Sequence, residues 1–104
     1  AELAPVHNHP HALALRACKK VIPDYVPQVV VFDTAFHQTM PEKAYMFGMP
    51  YECYEKFHVR KYGFHGTSHR FVSRALAKAM GKNAEDLKIV SCHLGNGSSI
   101  TAVD

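Results

Sequence analysis

Residues Gln28-Val29-Val30-Val31-Phe32 form an unbroken apolar run rich in β-branched side chains. A strand with one wet face alternates polar and apolar residues, whereas a continuous run suits a strand covered on both faces. The run predicts a sheet covered by helices, an α/β fold. Asp33-Thr34 follows it directly, and open α/β sheets gather their chemistry at the carboxyl ends of strands. Asp33 is therefore a candidate general base or orienting carboxylate, beside the plain alternative of a capping or turn aspartate.

Around that run the chain divides into short pieces. Residues 1–11 read as extended and irregular, because each proline disfavours helix in the residue before it. Ala12 to Val21 reads as a helix, with Lys19-Lys20 suited to its C-terminal end and Pro23 to its stop. Ala35 to Met49 reads as loop with one helical turn, and Pro50 to His58 as a short helix with aromatic anchors. Ser68 to Met80 carries Phe71, Val72, Ala75, Leu76, Ala79 and Met80 at helical spacing, a predicted buried face, with Gly81 at the C-terminal cap. Asn83 to Asp86 reads as a turn or one helical turn, Leu87 to Cys92 as a strand, and Ser99 to Val103 as another.

Between the first short helix and the longer one stands Tyr62-Gly63-Phe64-His65-Gly66-Thr67-Ser68-His69. Its two glycines allow a tight turn that presents Phe64 and His65, and Thr67-Ser68 could cap the helix that follows. A presented imidazole beside a presented ring suits a small anion with an apolar tail. The plain alternative is a capped loop whose imidazole bonds only its neighbours.

Between the last two strands lies His93-Leu94-Gly95-Asn96-Gly97-Ser98-Ser99. Asn-Gly between apolar strands signals a hairpin. Gly95 and Gly97 also leave room for main-chain N–H groups to approach phosphate oxygens, with Asn96, Ser98 and Ser99 as side-chain donors. No lysine follows the second glycine and no helix does, so this is not a Walker loop.

The whole chain has 104 residues, 47% hydrophobic and 20% charged, which fits one small globular core. No apolar run approaches the roughly 20 residues that span a bilayer, and no charged-then-apolar leader is read at the start. Cys18, Cys53 and Cys92 are odd in number and far apart, which argues for reduced thiols and a cytoplasmic location. Both ends are abrupt, and the expectation is a piece of a longer protein. Eight histidines invite a metal hypothesis. His65 and His69 are four apart, but the glutamate of a zinc protease is absent and Gly66 places His65 in a loop, so His69 reads as structural. No metal site is expected from this chain's own residues.

Four segments together resemble the acetate kinase family of the actin-like ATPase superfamily. They are Glu2 to Asn8, Val31 to Pro41, Arg60 to His69 and Cys92 to Ile100, in the family's order and over nearly the whole length. The resemblance implies part of a ribonuclease-H-like (actin-like ATPase) fold, with a buried strand, helices and a phosphate-binding β-hairpin. Residues 1–34 would end the first domain, and 35–104 would be a linker and the start of the second, nucleotide-binding domain. The implied activity is reversible in-line phosphoryl transfer from ATP to acetate, giving acetyl phosphate and ADP with Mg2+.

The same likeness carries roles onto single residues. Asp33 matches the active-site aspartate and His65 the histidine that stabilises the transition state. Val6, His7 and Phe64 match the substrate pocket, and His93, Leu94, Gly95, Asn96 and Gly97 the nucleotide-phosphate loop. Acetate is already ionised at neutral pH, so an orienting role or one in a metal's shell suits Asp33 better than that of a base. Members of the family are several times longer, so the magnesium ligands, clamping arginines and adenine pocket are expected elsewhere, and this piece alone is expected to be inactive. The full-length protein is expected to be a cytoplasmic homodimer without nucleic-acid or membrane partners. Where the family has His-Asn-Pro-Pro-Asn, this chain has His7-Asn8-His9-Pro10-His11, and Ala14 replaces a common glycine.

Two other readings stand beside this one. Val6 in place of the family's leucine leaves room for a longer acid, so propionate or butyrate is an alternative substrate. Arg70, Arg74, Lys78 and Lys82, spaced four apart, make a basic stripe that could bind nucleic acid, though such stripes are usually solvated faces.

Overall fold

A computed structural model describes residues 4–104. The described chain falls into two units, Ala1–Val30 and Val31–Asp104.

The first unit is built on helix α1, Pro5–Val21. It begins seven residues before the expected Ala12, inside the stretch predicted to be extended. Pro5 takes the first helical position, where a missing N–H costs nothing and the fixed φ suits the helix. Ala4 is not helical, and its carbonyl accepts the N–H groups of His7 and Asn8 at 3.1 and 2.8 Å. Pro10 sits inside the helix and deletes one main-chain bond there. The helix-favouring residues from Ala12 to Lys20 carry it through. At the other end Ile22 leaves the helix, with its N–H still bonded to Cys18 O at 2.8 Å. No described side chain of α1 is buried.

The expected strand at 28–32 is not formed. The segment has no regular secondary structure and pairs with no described strand, and Val29 is 80% and Phe32 67% exposed. Composition stated what the segment needs, and among the described residues no strand pairs with it.

In the second unit, a 3-10 turn at Ala35–Thr39 and two short helices, α2 (Glu42–Tyr45) and α3 (Tyr51–Phe57), lead to α4, Gly66–Met80. Gly81 caps α4 in the left-handed conformation, as expected. A second 3-10 turn, Ala84–Asp86, leads into β1 (Ile89–Leu94) and β2 (Ser98–Val103), an antiparallel pair in which His93 faces Ser99 and Ser91 faces Thr101. The connection is the three residues Gly95-Asn96-Gly97 rather than a two-residue turn, and neither Asn96 nor Gly97 takes positive φ.

Helix α4 packs on β1 and on the first 3-10 turn. Its buried side is Gly66, His69, Ser73 and Ala77, not the apolar face expected from periodicity. Phe71 is 72% exposed, and Val72, Leu76 and Met80 are exposed as well. Strand alternation turns Ile89, Ser91 and His93 towards α4 and leaves Val90, Cys92 and Leu94 outward. The interior is thus mostly polar: His37, His69, Ser73 and Ser91 are buried beside Ala77 and Ile89. Such an interior holds only if its polar atoms are paired. Among the described residues no buried side-chain nitrogen or oxygen lacks a partner.

Cys18, Cys53 and Cys92 are free thiols. No helix among the described residues is long and apolar enough to cross a membrane.

Candidate active site

The start of α4 is fixed from a distance in sequence. Asp33 lies in the turn after the segment at 28–32, and its Oδ2 accepts the His65 N–H at 2.9 Å. Its own carbonyl accepts the Gly66 N–H, also at 2.9 Å. Both donors belong to the helix N-terminus, where N–H groups have no partner within the helix. The expected capping by Thr67 or Ser68 does not occur, because the helix begins before them and the Asp33 peptide and carboxylate take that place. A Cβ on Gly66 would overlap Asp33 O and stand 3.0 Å from Phe36 Cβ, so the close approach requires glycine.

His65 occupies the N-cap position with φ 54° and ψ 28°, left-handed for a residue with a side chain. Non-glycine residues hold that conformation when their surroundings fix it, commonly at functional sites. Phe64, just before it, is half exposed, and its carbonyl accepts the Nε2–H of buried His37 at 2.9 Å. A carbonyl only accepts, so this bond puts a proton on His37 Nε2.

Beyond the helix start, four imidazoles meet between α4 and the hairpin. His65 stacks on His93 with centroids 4.2 Å apart and rings 19° from parallel. His93 Nδ1 is 2.9 Å from Ser68 Oγ, so the hydroxyl expected to cap the helix instead holds this ring. His65 Nδ1 is 3.1 Å from Ser99 Oγ. Fully buried His69 meets the same Ser99 Oγ through Nε2 at 2.6 Å and Ser91 Oγ through Nδ1 at 2.9 Å. His37 and His69 are edge to face, with centroids 5.9 Å apart. Burial lowers the His69 pKa, and the nearby imidazoles of His37, His93 and His65 lower it further, against a weaker opposing pull from Asp33.

His65 Nε2 points towards the hairpin loop, and a Cβ on Gly97 would stand 3.3 Å from it. The imidazole and the Gly95–Gly97 loop therefore share one place. The structure brings together Asp33, Phe64, His65, His93 and Gly97 in the second unit. Leu94, Gly95 and Asn96 lie exposed at the hairpin tip. Val6 and His7 belong to the first unit, exposed on the first turn of α1, where His7 stacks on His11 one turn later with centroids 6.4 Å apart. Sequence reasoning did not single out His37 or Ser91, and it gave Ser68 a capping role rather than the bond to His93. The period-2 alternation of β1, which sets Ser91 and His93 on one face, was the available signal for Ser91.

Two shallow clefts flank the site. One is lined by Thr34, His37, Gln38, Arg60 and Tyr62, and the Arg60 guanidinium lies 3.8 Å from the Tyr45 ring centroid. The other is lined by Val31, Phe32, Phe36, Gly66, Thr67 and Arg70, among others. Among the described residues, no group of three His, Cys, Asp or Glu side chains could hold a metal ion. Arg70, Arg74 and Lys78 are exposed along α4, and Lys82 lies past its end.

The structure superposes on Porphyromonas gingivalis acetate kinase with a TM-score of 0.90 and 46% identity, over 96% of this chain and 25% of that one. It superposes on a propionate kinase from Francisella tularensis with a TM-score of 0.89 and 48% identity, over 97% of this chain and 26% of that one. The model of the acetokinase family matches residues 1–104, and the chain belongs to that family.

Acetate kinase 2 of Clostridium perfringens is 65% identical over 103 residues, covering 99% of this chain and 26% of its own length. The acetate kinase of Desulfitobacterium hafniense is 64% identical over 102 residues, covering 98% of this chain and 25% of its own length. The chain thus spans about a quarter of the relatives it matches.

Proposed function

We propose that this chain supplies part of the active site of a phosphotransferase that moves a phosphoryl group between ATP and acetate, giving acetyl phosphate and ADP. The observation that carries this reading is His65 Nε2 facing the Gly95–Gly97 loop from a strained, doubly anchored main chain. Family membership and the names of the relatives at 65% and 64% identity support the substrates.

Phosphoryl transfer asks for alignment and charge stabilisation more than for covalent chemistry. In the proposed reaction an acetate oxygen attacks the γ-phosphorus in line, and the bond to the ADP oxygen breaks with its electron pair leaving on ADP. Acetate is ionised at neutral pH, so no base is needed. His65 stands where a ring N–H would meet the equatorial oxygens of the group in flight. His93, Leu94, Gly95, Asn96 and Gly97 form the nucleotide-phosphate loop, and Phe64, with Val6 and His7, serves the acid. Asp33 orients His65 through the main chain, and its charge is proposed to act in the shell of a bound metal ion.

Magnesium would neutralise phosphate charge in such an enzyme. The described residues do not form a cage for it, and its ligands are assigned to other parts of the full-length protein. Residues 1–34 are assigned to the end of a first domain and 35–104 to a linker and the start of a nucleotide-binding one. The full-length protein is proposed to be a cytoplasmic homodimer.

The likeness to a propionate kinase keeps longer acids in view as substrates. Turnover of acetate, propionate and butyrate by the full-length protein tests the assignment. Acetate is expected to give the highest kcat/KM, and equal turnover of butyrate would sink it.

A further inference from the structure

Phe64 and His65 share one peptide group, and both of its polar atoms are held from outside their loop. The Phe64 carbonyl accepts the Nε2–H of His37 at 2.9 Å. The His65 N–H donates to Asp33 Oδ2 at 2.9 Å. Chemistry sets both directions, since a carbonyl oxygen only accepts and a main-chain N–H only donates. From this pairing we propose that His37 is a positioning residue, the second arm of a clamp with Asp33 that fixes the Phe64–His65 peptide plane and so aims both side chains at once. The proposal rests on the reading that Phe64 serves the acid and His65 the transferring phosphoryl group.

A peptide group is planar, so its C=O and N–H turn together. A single partner would leave the plane free to pivot about that one bond. Two partners, one for each polar atom, resist the turn, and a flipped plane would lose both bonds. The plane needs such holding because left-handed backbone flanks Phe64 on both sides, with φ 75° at Gly63 and 54° at His65. Glycine adopts that conformation freely, whereas His65 keeps it only where its surroundings fix it. A Cβ on Gly63 would overlap the His37 ring, so the imidazole reaches Phe64 O by lying where no side chain stands.

His37 can hold the loop because it is itself held. It is buried in the 3-10 turn at Ala35–Thr39, with its N–H on Thr34 O at 3.1 Å and its carbonyl on the Met40 N–H at 3.2 Å. Its ring stands edge to face with Phe36 and His69, centroids 5.4 and 5.9 Å apart. Asp33 lies four residues earlier in the same stretch, where its carbonyl also takes the Gly66 N–H. Both arms thus come from one short segment packed on α4, and the hairpin supplies neither.

The test uses the full-length protein, native and as His37→Phe and His37→Gln, read by amide hydrogen exchange and by phosphoryl-transfer kinetics. His37→Phe keeps a ring against Gly63 and removes the donor. Its His65 amide should exchange about tenfold faster, while amides in the middle of α4, such as that of Ala77, keep their native rates. Its kcat/KM for acetate should fall about tenfold, with the KM for ATP unchanged. His37→Gln carries an amide N–H in place of the ring's and should bring both readouts to within about threefold of native. Native exchange at His65 in His37→Phe, an equal acceleration along α4, or equal losses in the two variants overturn the proposal. If His37→Phe does not fold, His37→Gln and the native ring decide: long-range 1H–15N correlation should find a proton on His37 Nε2, and a ring protonated at Nδ1 alone overturns the clamp. A His65 amide released by His37→Phe in a protein without phosphotransferase activity would uphold the clamp and refute the proposed function.

Discussion

The Asp33 carboxylate accepts the main-chain N–H of His65 at 2.9 Å, across a separation of 32 residues. This one bond joins the turn after residues 28–32 to the start of α4. It makes the conformation of His65 a tertiary property, since a lone His-Gly pair has no reason to hold φ 54°. The His65 imidazole is thus aimed by a residue that is distant in the chain.

Removing that acceptor separates its structural and electrostatic parts. Asp33→Ala is expected to lower the stability of the full-length protein by about 1 kcal/mol, the usual cost of losing a helix-start acceptor. Asp33→Asn keeps an oxygen for the His65 N–H and should retain most of that stability while losing activity with the charge. Urea denaturation midpoints and transfer rates at saturating magnesium check this. Full activity in Asp33→Asn would show that the charge is not used.

Gly66→Ala places a methyl against Asp33 O and Phe36 Cβ. The backbone must move, at a cost of about 1–3 kcal/mol for an overpacked contact. Because the shifted atoms carry His65, activity should fall more than stability. Thermal melts run beside kinetics distinguish this from unfolding alone, and a variant as stable and as active as the native protein would contradict the clamp.

His69 gives the fold a pH dependence whose sign is fixed. Burial, then its imidazole neighbours, put its folded pKa below the ordinary 6.5. Between the folded and the ordinary value the unfolded chain binds more protons than the folded one, so stability rises with pH there. The contribution is complete above about 6.5 and is lost as the pH falls from there towards the folded value. Denaturation midpoints at pH 7.5 and 5.5 should show a drop that shrinks in His69→Gln. An equal drop in both proteins would place the titration elsewhere.

What the sequence disclosed depended on how local each cause was. The extent of α3 and the end of α4 at Gly81 follow from neighbouring residues, and they were legible. The strand at 28–32 was not, because strandhood needs a partner, and none pairs with it among the described residues. Periodicity in α4 gave the helix but the wrong buried face: Phe71, Leu76 and Met80 are exposed, since a hydrophobic pattern states a need for cover and not its fulfilment. Helix α1 went the other way: helix-favouring residues after Pro10 overrode the local rule for residues before proline. In the site, Asp33, His65 and the Gly95–Gly97 loop were visible as motifs. The bonds from Ser68, Ser91 and Ser99 were not, because serine at a strand or helix position carries no signal until the rings it touches are placed.

The central claim, that His65 stabilises a phosphoryl group in transit, is tested most directly by acetyl phosphate formation from ATP and acetate in the full-length protein, native and His65→Ala. The native protein is expected to turn over, and His65→Ala to lose about 10²–10³ in kcat with the KM for acetate little changed. A His65→Ala protein with native kcat would contradict the account.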